Sequence, residues 1–146
     1  MEYTAELLVR ELVTVAPGQT VRDVVRLMKG RHVGCVIVTE GGRVAGIFSE
    51  RDLVNRVVAE GLDPSAVPVS RVMTREPVVV DVRRPLEDVF AVLARRRFRH
   101  VPIVDGDRPV GMVSLSDFAA VLREVFGEAR YLQYFVDYCK AGRQTS

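Results

Sequence analysis

Apolar residues recur at helical spacing in two stretches of the chain. The positions are Val21, Val24, Val25 and Met28 in the first stretch, and Leu86, Val89, Phe90 and Leu93 in the second. Both sets follow the i, i+3, i+4, i+7 pattern of an amphipathic helix that packs one face on a core. Valine-rich segments at 13–15 and 78–80 precede the two helices and predict short strands.

A hairpin is predicted after each of these helices, because Glu40–Gly42 and Asp105–Asp107 interrupt apolar segments as tight turns do. A serine follows each hairpin, and an aspartate lies three residues after it: Ser49 with Asp52, and Ser114 with Asp117. This spacing is typical of a helix N-cap with a capping box. The predicted order is therefore β-α-β-β-α, twice.

The two halves also match in sequence. Gly46-Ile-Phe-Ser-Glu-Arg-Asp52 matches Gly111-Met-Val-Ser-Leu-Ser-Asp117, and the segment 20–25 matches 85–90. Matching segments in the same order indicate a tandem duplication. Since one copy alone buries little apolar surface, we expect an α/β (α+β) fold in which two copies pack through their sheets with pseudo-two-fold symmetry. The predicted parts are repeat 1 at 1–60, a crossover linker at 61–72, repeat 2 at 73–126, and a C-terminal helix and tail at 127–146.

The terminal segment 128–140 is apolar on two sides if it is helical. One face carries Leu132, Phe135, Val136 and Cys139, and the other carries Tyr131, Tyr134 and Tyr138. One side would cover the chain's own core and a partner would cover the other, which favours a homodimer. A terminal helix that packs only on the core is the simpler alternative.

Composition restricts the location of the protein. Of the 146 residues, 48% are hydrophobic and 27% charged, with a formal net charge of +2. No apolar run reaches the roughly 18–20 residues of a membrane-spanning helix, and the acidic N-terminal segment does not resemble a secretion signal. Two cysteines, Cys35 and Cys139, are too few for a disulfide framework. We therefore expect a cytoplasmic protein without membrane insertion.

Few residues are candidates for catalysis or for metal binding. His32 and His100 are the two histidines, and neither lies in a recognisable triad motif. Cys35 lies between apolar neighbours, as an inert buried thiol does, and with His32 it lacks the further ligands of a zinc site. We expect no enzyme activity and no obligatory cofactor. The basic run 95–97 suits a helix C-terminus, so nucleic-acid binding is the less favoured interpretation.

The duplicated motifs resemble the CBS domain pair, or Bateman module. Each copy closes with Gly-hydrophobic-x-Ser-x-x-Asp, and Val72-Met73-Thr74 and Arg99-His100-Val101-Pro102 add to the resemblance, which covers 8–126. It implies a regulatory protein that binds an adenosine-containing ligand, such as AMP, ADP, ATP or S-adenosylmethionine, in clefts between the copies. It also implies signalling to a separate, unidentified partner protein.

The family pattern implies two unequal clefts. The first would be formed by Ser49, Arg51, Asp52 and Thr74 with the strand from Pro77 to Val79. The second would be formed by Ser114, Ser116 and Asp117, with Arg99 and His100 as phosphate partners and Val33 and Gly34 at its base. The second lacks the threonine, because Val9 stands at that position, but it has the better phosphate partners. We expect it to be the better site for a phosphorylated ligand.

The residue chemistry suits such a ligand. A carboxylate can accept a hydrogen bond from each of two adjacent ribose hydroxyls. Asp52 and Asp117 lie in the first turn of predicted helices, where the helix dipole favours negative charge and the helix start tolerates phosphate. The alternative is that both Ser–Asp pairs are only helix caps, and that the chain is a ligand-free dimerisation or protein-interaction module.

Overall fold

The elements follow the predicted order twice in the computed structural model, which describes residues 3–8, 12–96 and 100–144. The chain divides into two units. The repeat-1 unit consists of Leu12–Val78 and Asp107–Pro109, and the repeat-2 unit of Met1–Glu11, Val79–Gly106 and Val110–Ser146. Each unit has its own sheet, and the mixed α+β class predicted from the sequence is confirmed.

The repeat-1 unit is built on a four-stranded sheet in the order β1-β2-β3-β4. Its strands are β1 Thr14–Val15, β2 Cys35–Glu40, β3 Arg43–Ser49 and β4 Thr74–Arg75. Its helices are α1 Val21–Arg31, α2 Glu50–Asp52, which continues as the π-helical segment Leu53–Val58, and α3 Val69–Val72. Strand β1 is parallel to β2, whereas β3 is antiparallel to both β2 and β4. The predicted hairpin is confirmed.

The repeat-2 unit contains a three-stranded sheet in the order β5-β6-β7. Its strands are β5 Val80–Asp81, β6 His100–Asp105 and β7 Arg108–Ser114, and its helices are α4 Leu86–Arg96, α5 Leu115–Phe126 and α6 Glu128–Gln144. Strand β5 begins two residues later than the segment 78–80 that the valines predicted. The terminal helix is four residues longer than the predicted 128–140, since α6 ends at Gln144.

Each unit has a separate apolar core. In repeat 1 the periodic residues Val21, Val24 and Met28 of α1 are buried against the sheet, as their spacing predicted. In repeat 2 the equivalent core residues are Leu86, Val89 and Leu93. The large contribution of valine and leucine is typical of helices that pack on a sheet.

The segment that precedes each repeat in sequence packs on the other repeat's unit. The linker pairs with repeat 1, because Val69 N donates to Gln19 O at 2.8 Å and Val21 N donates to Val67 O at 2.9 Å. The N-terminal segment makes the corresponding bonds to repeat 2, where Ala5 N donates to Arg84 O at 2.8 Å and Leu86 N donates to Tyr3 O at 2.9 Å. The structural units therefore do not follow the boundaries of the sequence repeats.

Candidate functional site

The start of α2 holds a nearly buried carboxylate. Ser49 caps the helix by accepting a hydrogen bond from Asp52 N at 3.3 Å, and Asp52 Oδ2 accepts from Ser49 N at 3.0 Å and from Ser49 Oγ at 3.2 Å. This is the capping box that the Ser-x-x-Asp spacing predicted. Asp52 is only 7% exposed and is the one buried charged residue in the part of the chain that the structure describes.

Strand β4 and the π-helical segment each supply a partner for the second oxygen of this carboxylate. Thr74 Oγ1 donates to Asp52 Oδ1 at 3.2 Å, and Arg56 Nε lies 3.6 Å from the same oxygen. Arg56 also donates from Nη1 to Met73 O at 2.8 Å, which ties the π-helical segment to the residue that precedes β4. The structure thus brings together Ser49, Asp52 and Thr74, as the family pattern implied. Both oxygens of Asp52 are occupied by protein groups, which offsets the cost of burying the charge.

Arg56 was missed by the sequence analysis. Its only signal is its position four residues after Asp52, which places the two side chains on the same helical face. Such a spacing is common on solvent-exposed helices. Nothing in the sequence marks the carbonyl of Met73 as its second partner, because that contact depends on where β4 lies.

Gly46 makes the close approach of β4 possible. A Cβ at this position would lie 2.6 Å from Thr74 O and 2.7 Å from Met73 Sδ, so only a residue without a side chain fits here. Gly46 pairs with Arg75, and the next residue, Ile47, pairs with Thr74. The glycine of the repeated motif therefore positions Thr74 for its bond to Asp52.

A buried thiol lies behind the site. Cys35 faces Ser49 across the β2–β3 hairpin and is 5% exposed. Burial, and to a lesser extent the negative charge of Asp52, raises the pKa of Cys35 to about 12. The neutral thiol is unreactive at physiological pH. The predicted burial of Cys35 is confirmed, and its low reactivity stays a prediction.

The start of α5 resembles that of α2, but one carboxylate oxygen of Asp117 has no partner among the described residues. Asp117 N donates to Ser114 Oγ and Ser114 N donates to Asp117 Oδ2, both at 3.1 Å, so the predicted capping box is present. Asp117 is half-buried rather than buried. Among the described residues, no group donates to its Oδ1. The two equivalent carboxylates therefore differ. Both oxygens of Asp52 contact protein groups, whereas only Oδ2 of Asp117 does so among the described residues.

The remaining predicted site residues differ in exposure, and one of them lies outside the described residues. Arg99 and Val9 lie outside the described residues. His100 is the half-buried first residue of β6, whereas Ser116 in α5 is exposed. Arg51 in α2 is also exposed.

Other predicted residues belong to different units. Val33, Gly34 and Pro77 lie in the repeat-1 unit, and Val79, which is 39% exposed, lies in the repeat-2 unit. The Gly34 carbonyl accepts a hydrogen bond from Glu50 N at 3.0 Å, so Gly34 contacts the start of α2. Its predicted place at the base of the Asp117 cleft stays a prediction.

No three His, Cys, Asp or Glu side chains in the described ranges gather as metal ligands would. No helix in those ranges is long and apolar enough to cross a membrane.

The comparison with known proteins decides the family. A family model for the CBS domain matches the chain twice, at residues 5–59 and 69–124. The chain belongs to the CBS domain family. The tandem repeat inferred from the sequence is therefore a pair of CBS domains, and CBS pairs are commonly regulatory modules. Proteins made only of CBS domains are generally regulatory rather than catalytic.

Related CBS proteins occur both alone and inside longer chains. The CBS domain-containing protein YhcV of Bacillus subtilis is 36% identical over 119 residues, which cover 82% of this chain and 84% of YhcV. A conserved protein from Pyrococcus horikoshii has a similar crystal structure, with a TM-score of 0.76 and 32% identity over 84% of this chain and 94% of that chain. A CBS domain-containing protein of Arabidopsis thaliana is 31% identical over 76% of this chain, but the match covers 21% of the plant protein.

Proposed function

We propose that this CBS pair is a cytoplasmic regulatory module that binds an adenosine-containing ligand of the AMP, ADP, ATP or S-adenosylmethionine class. It acts as a homodimer and transmits ligand occupancy to a separate protein. A ligand changes the state of such a module only through a difference in its affinity for two arrangements of the protein. No chemical step is required of the chain.

The observation that carries the proposal is the difference between the two capping aspartates. Asp117 Oδ2 is used by the cap of α5, while Oδ1 has no partner among the described residues. A free carboxylate oxygen at a half-exposed helix start is a suitable acceptor for a ribose hydroxyl. The charge-assisted hydrogen bond would be stronger than one to a neutral acceptor. The dipole of the twelve-residue α5 also favours an anionic ligand near the same end.

Asp52 is the weaker candidate for the same reason. A ribose at this site would have to replace the Thr74 hydroxyl or the Arg56 guanidinium at Asp52 Oδ1. Exchanging one hydrogen bond for another yields little net free energy. The proposal is therefore that the nucleotide binds first at the repeat-2 aspartate.

The test measures ligand binding to two matched variants, Asp117→Asn and Asp52→Asn. Each substitution keeps a side-chain carbonyl for the cap but removes the charge. Isothermal titration calorimetry and thermal shift with AMP, ADP, ATP and S-adenosylmethionine should show binding to the unsubstituted chain. A ligand at 100 times its Kd adds about 2.7 kcal/mol of stability. We expect Asp117→Asn to weaken binding about tenfold or more and Asp52→Asn to change it much less.

A second function is favoured by the capping boxes themselves. Both aspartates accept hydrogen bonds from the backbone of their own caps, which is sufficient reason for a Ser-x-x-Asp motif without any ligand. A ligand-free dimerisation or protein-interaction module would show no thermal shift with any of the four ligands. In that case Ser114→Ala would still lower the free energy of unfolding by about 0.5–2 kcal/mol, the usual contribution of a cap.

A further inference from the structure

The outer side of α6 carries an exposed ridge with an acidic and a basic end. We define the α6 ridge as Glu128, Leu132, Val136 and Lys140, which follow one another at intervals of four residues. Leu132 is 52% exposed and Val136 is 44% exposed, and the two end residues are exposed as well. Elsewhere along its length α6 contacts α4 and α5 of its own unit. The described residues of the chain therefore leave the apolar centre of the ridge exposed.

The ridge is complementary to itself when a second copy runs antiparallel. The order along one helix is acidic, apolar, apolar, basic, so the reversed order of a second copy places opposite charges at both ends and apolar residues in the middle. Lys140 has no ion-pair partner among the described residues, and Glu128 has only Arg123 at 3.9 Å. Both end charges are thus available to a partner.

The geometry of helix packing suits this arrangement. Residues spaced by four form ridges inclined to the helix axis, and antiparallel helices commonly pack such ridges into each other's grooves. The ridge runs from Glu128 to Lys140, twelve residue rises or about 18 Å along the axis. Exposed Ala129 and Cys139 flank it with small side chains, which allow a close approach.

We propose that the α6 ridge is an isologous interface with a second copy of this chain. Leu132 packs against the partner's Val136, and Glu128 faces the partner's Lys140, with each contact repeated by the two-fold axis. The inference deepens the homodimer of the proposed function by assigning its surface. It does not depend on any ligand, so the nucleotide titrations and the dimer measurements can fail independently.

Site-directed cross-linking tests the antiparallel register. In a Cys139→Ser background, Glu128→Cys and Lys140→Cys are introduced together and treated with a short bis-maleimide at low protein concentration. The two new thiols are about 18 Å apart within one helix, too far for a short linker, but adjacent across the proposed interface. We expect a covalent dimer from the double variant only. Either single variant forming the dimer equally well, or the double variant remaining monomeric on denaturing gels, overturns the proposed register.

Sedimentation equilibrium tests the interface without cross-linking. The unsubstituted chain should dimerise, Leu132→Glu should weaken dimerisation at least about tenfold, and Glu128→Lys should weaken it by a smaller factor. Adding Lys140→Glu to Glu128→Lys should restore the affinity, because the swapped charges again meet opposite charges. Circular dichroism verifies that these exposed substitutions leave the fold intact.

An unrelated exposed apolar position provides the control. Val58 at the end of the π-helical segment is 65% exposed, and Val58→Glu should leave the α6 dimer unchanged. A chain that is monomeric at all concentrations contradicts the proposal. So does a dimer that survives Leu132→Glu but dissociates with Val58→Glu.

Discussion

The substitution Gly46→Ala tests whether the close approach of β4 holds the Asp52 site together. The added methyl group would lie 2.6 Å from Thr74 O and 2.7 Å from Met73 Sδ, well inside ordinary van der Waals distance. Thr74 O is a backbone atom of the strand paired with β3, so the strand itself has to move. Movement of β4 carries the Thr74 hydroxyl away from Asp52.

The expected loss has two parts. Forcing a methyl group into a filled site costs about 1–3 kcal/mol. Losing a hydrogen bond to a charged acceptor adds about 1.5–3 kcal/mol when the bond breaks completely. Because the two parts are coupled, we expect a total of about 2–4 kcal/mol. For a chain of this size that lowers Tm by roughly 5–15 °C.

Urea unfolding followed by circular dichroism measures this loss, and Gly30→Ala is the matched control. Gly30 lies in α1, and a Cβ there would meet no atom within 4 Å. Replacing a helical glycine with alanine in open space should stabilise the protein by about 0.5–1 kcal/mol. The same chemical change should therefore have opposite signs at the two positions.

A double-mutant cycle with Thr74→Val separates the two parts of the loss. If Gly46→Ala displaces β4, removal of the hydroxyl should cost less in the alanine background than in the unsubstituted chain. Equal costs in both backgrounds would show that Thr74 keeps its bond. An unchanged urea midpoint for Gly46→Ala would refute the reasoning altogether.

Four further predictions concern His32, the two cysteines and Asp81. His32 ends α1 in the left-handed region at φ 55°, and its backbone N–H donates to Lys29 O. Because glycine adopts this conformation without strain, His32→Gly should raise the free energy of unfolding by about 0.5–1 kcal/mol, measured by urea titration. A lower free energy of unfolding would contradict this prediction. Ellman's reagent should label exposed Cys139 at once and Cys35 only on unfolding. Burial raises the pKa of Cys35 to about 12, so above about pH 9 only the unfolded chain ionises this thiol. The free energy of unfolding should therefore fall above about pH 9, and Cys35→Ala should remove that part of the decline. Hydrogen bonds from Arg83 lower the pKa of Asp81. The ionised Asp81 therefore stabilises the fold at neutral pH, and this stabilisation is lost below about pH 4. In an acid titration, Asp81→Asn should lack that part of the loss.

The parts of the site that the sequence predicted are local. A capping box joins residues three apart, and its geometry is fixed once a helix begins. The Ser49–Asp52 and Ser114–Asp117 boxes were predicted for that reason and are present. The helical faces of α1 and α4 followed from the same local periodicity. Strand β5 was displaced from its predicted position because a run of three valines does not mark which of them pairs with a neighbour.

The long-range contacts were decided by the fold. The family pattern implied two unequal clefts, but it did not show that protein groups already bond Asp52 Oδ1, whereas Asp117 Oδ1 has no partner among the described residues. The difference arises because the register between β3 and β4 brings Thr74 and the carbonyl of Met73 to α2. The resemblance to the family suggested Thr74 but gave no reason for its distance from Asp52.

The sequence by itself determined the duplication, the order of the elements and the caps, because each depends on the spacing of neighbouring residues. Only the tertiary structure decided which segment completes which unit and which carboxylate oxygen has no partner in the described part of the chain. Those outcomes depend on strand register and on backbone hydrogen bonds between residues far apart in sequence, such as Val69 with Gln19. Such bonds form wherever two backbones meet, whatever their side chains. The exposure of Leu132 and Val136 was likewise decided by which side of α6 the chain's own helices cover.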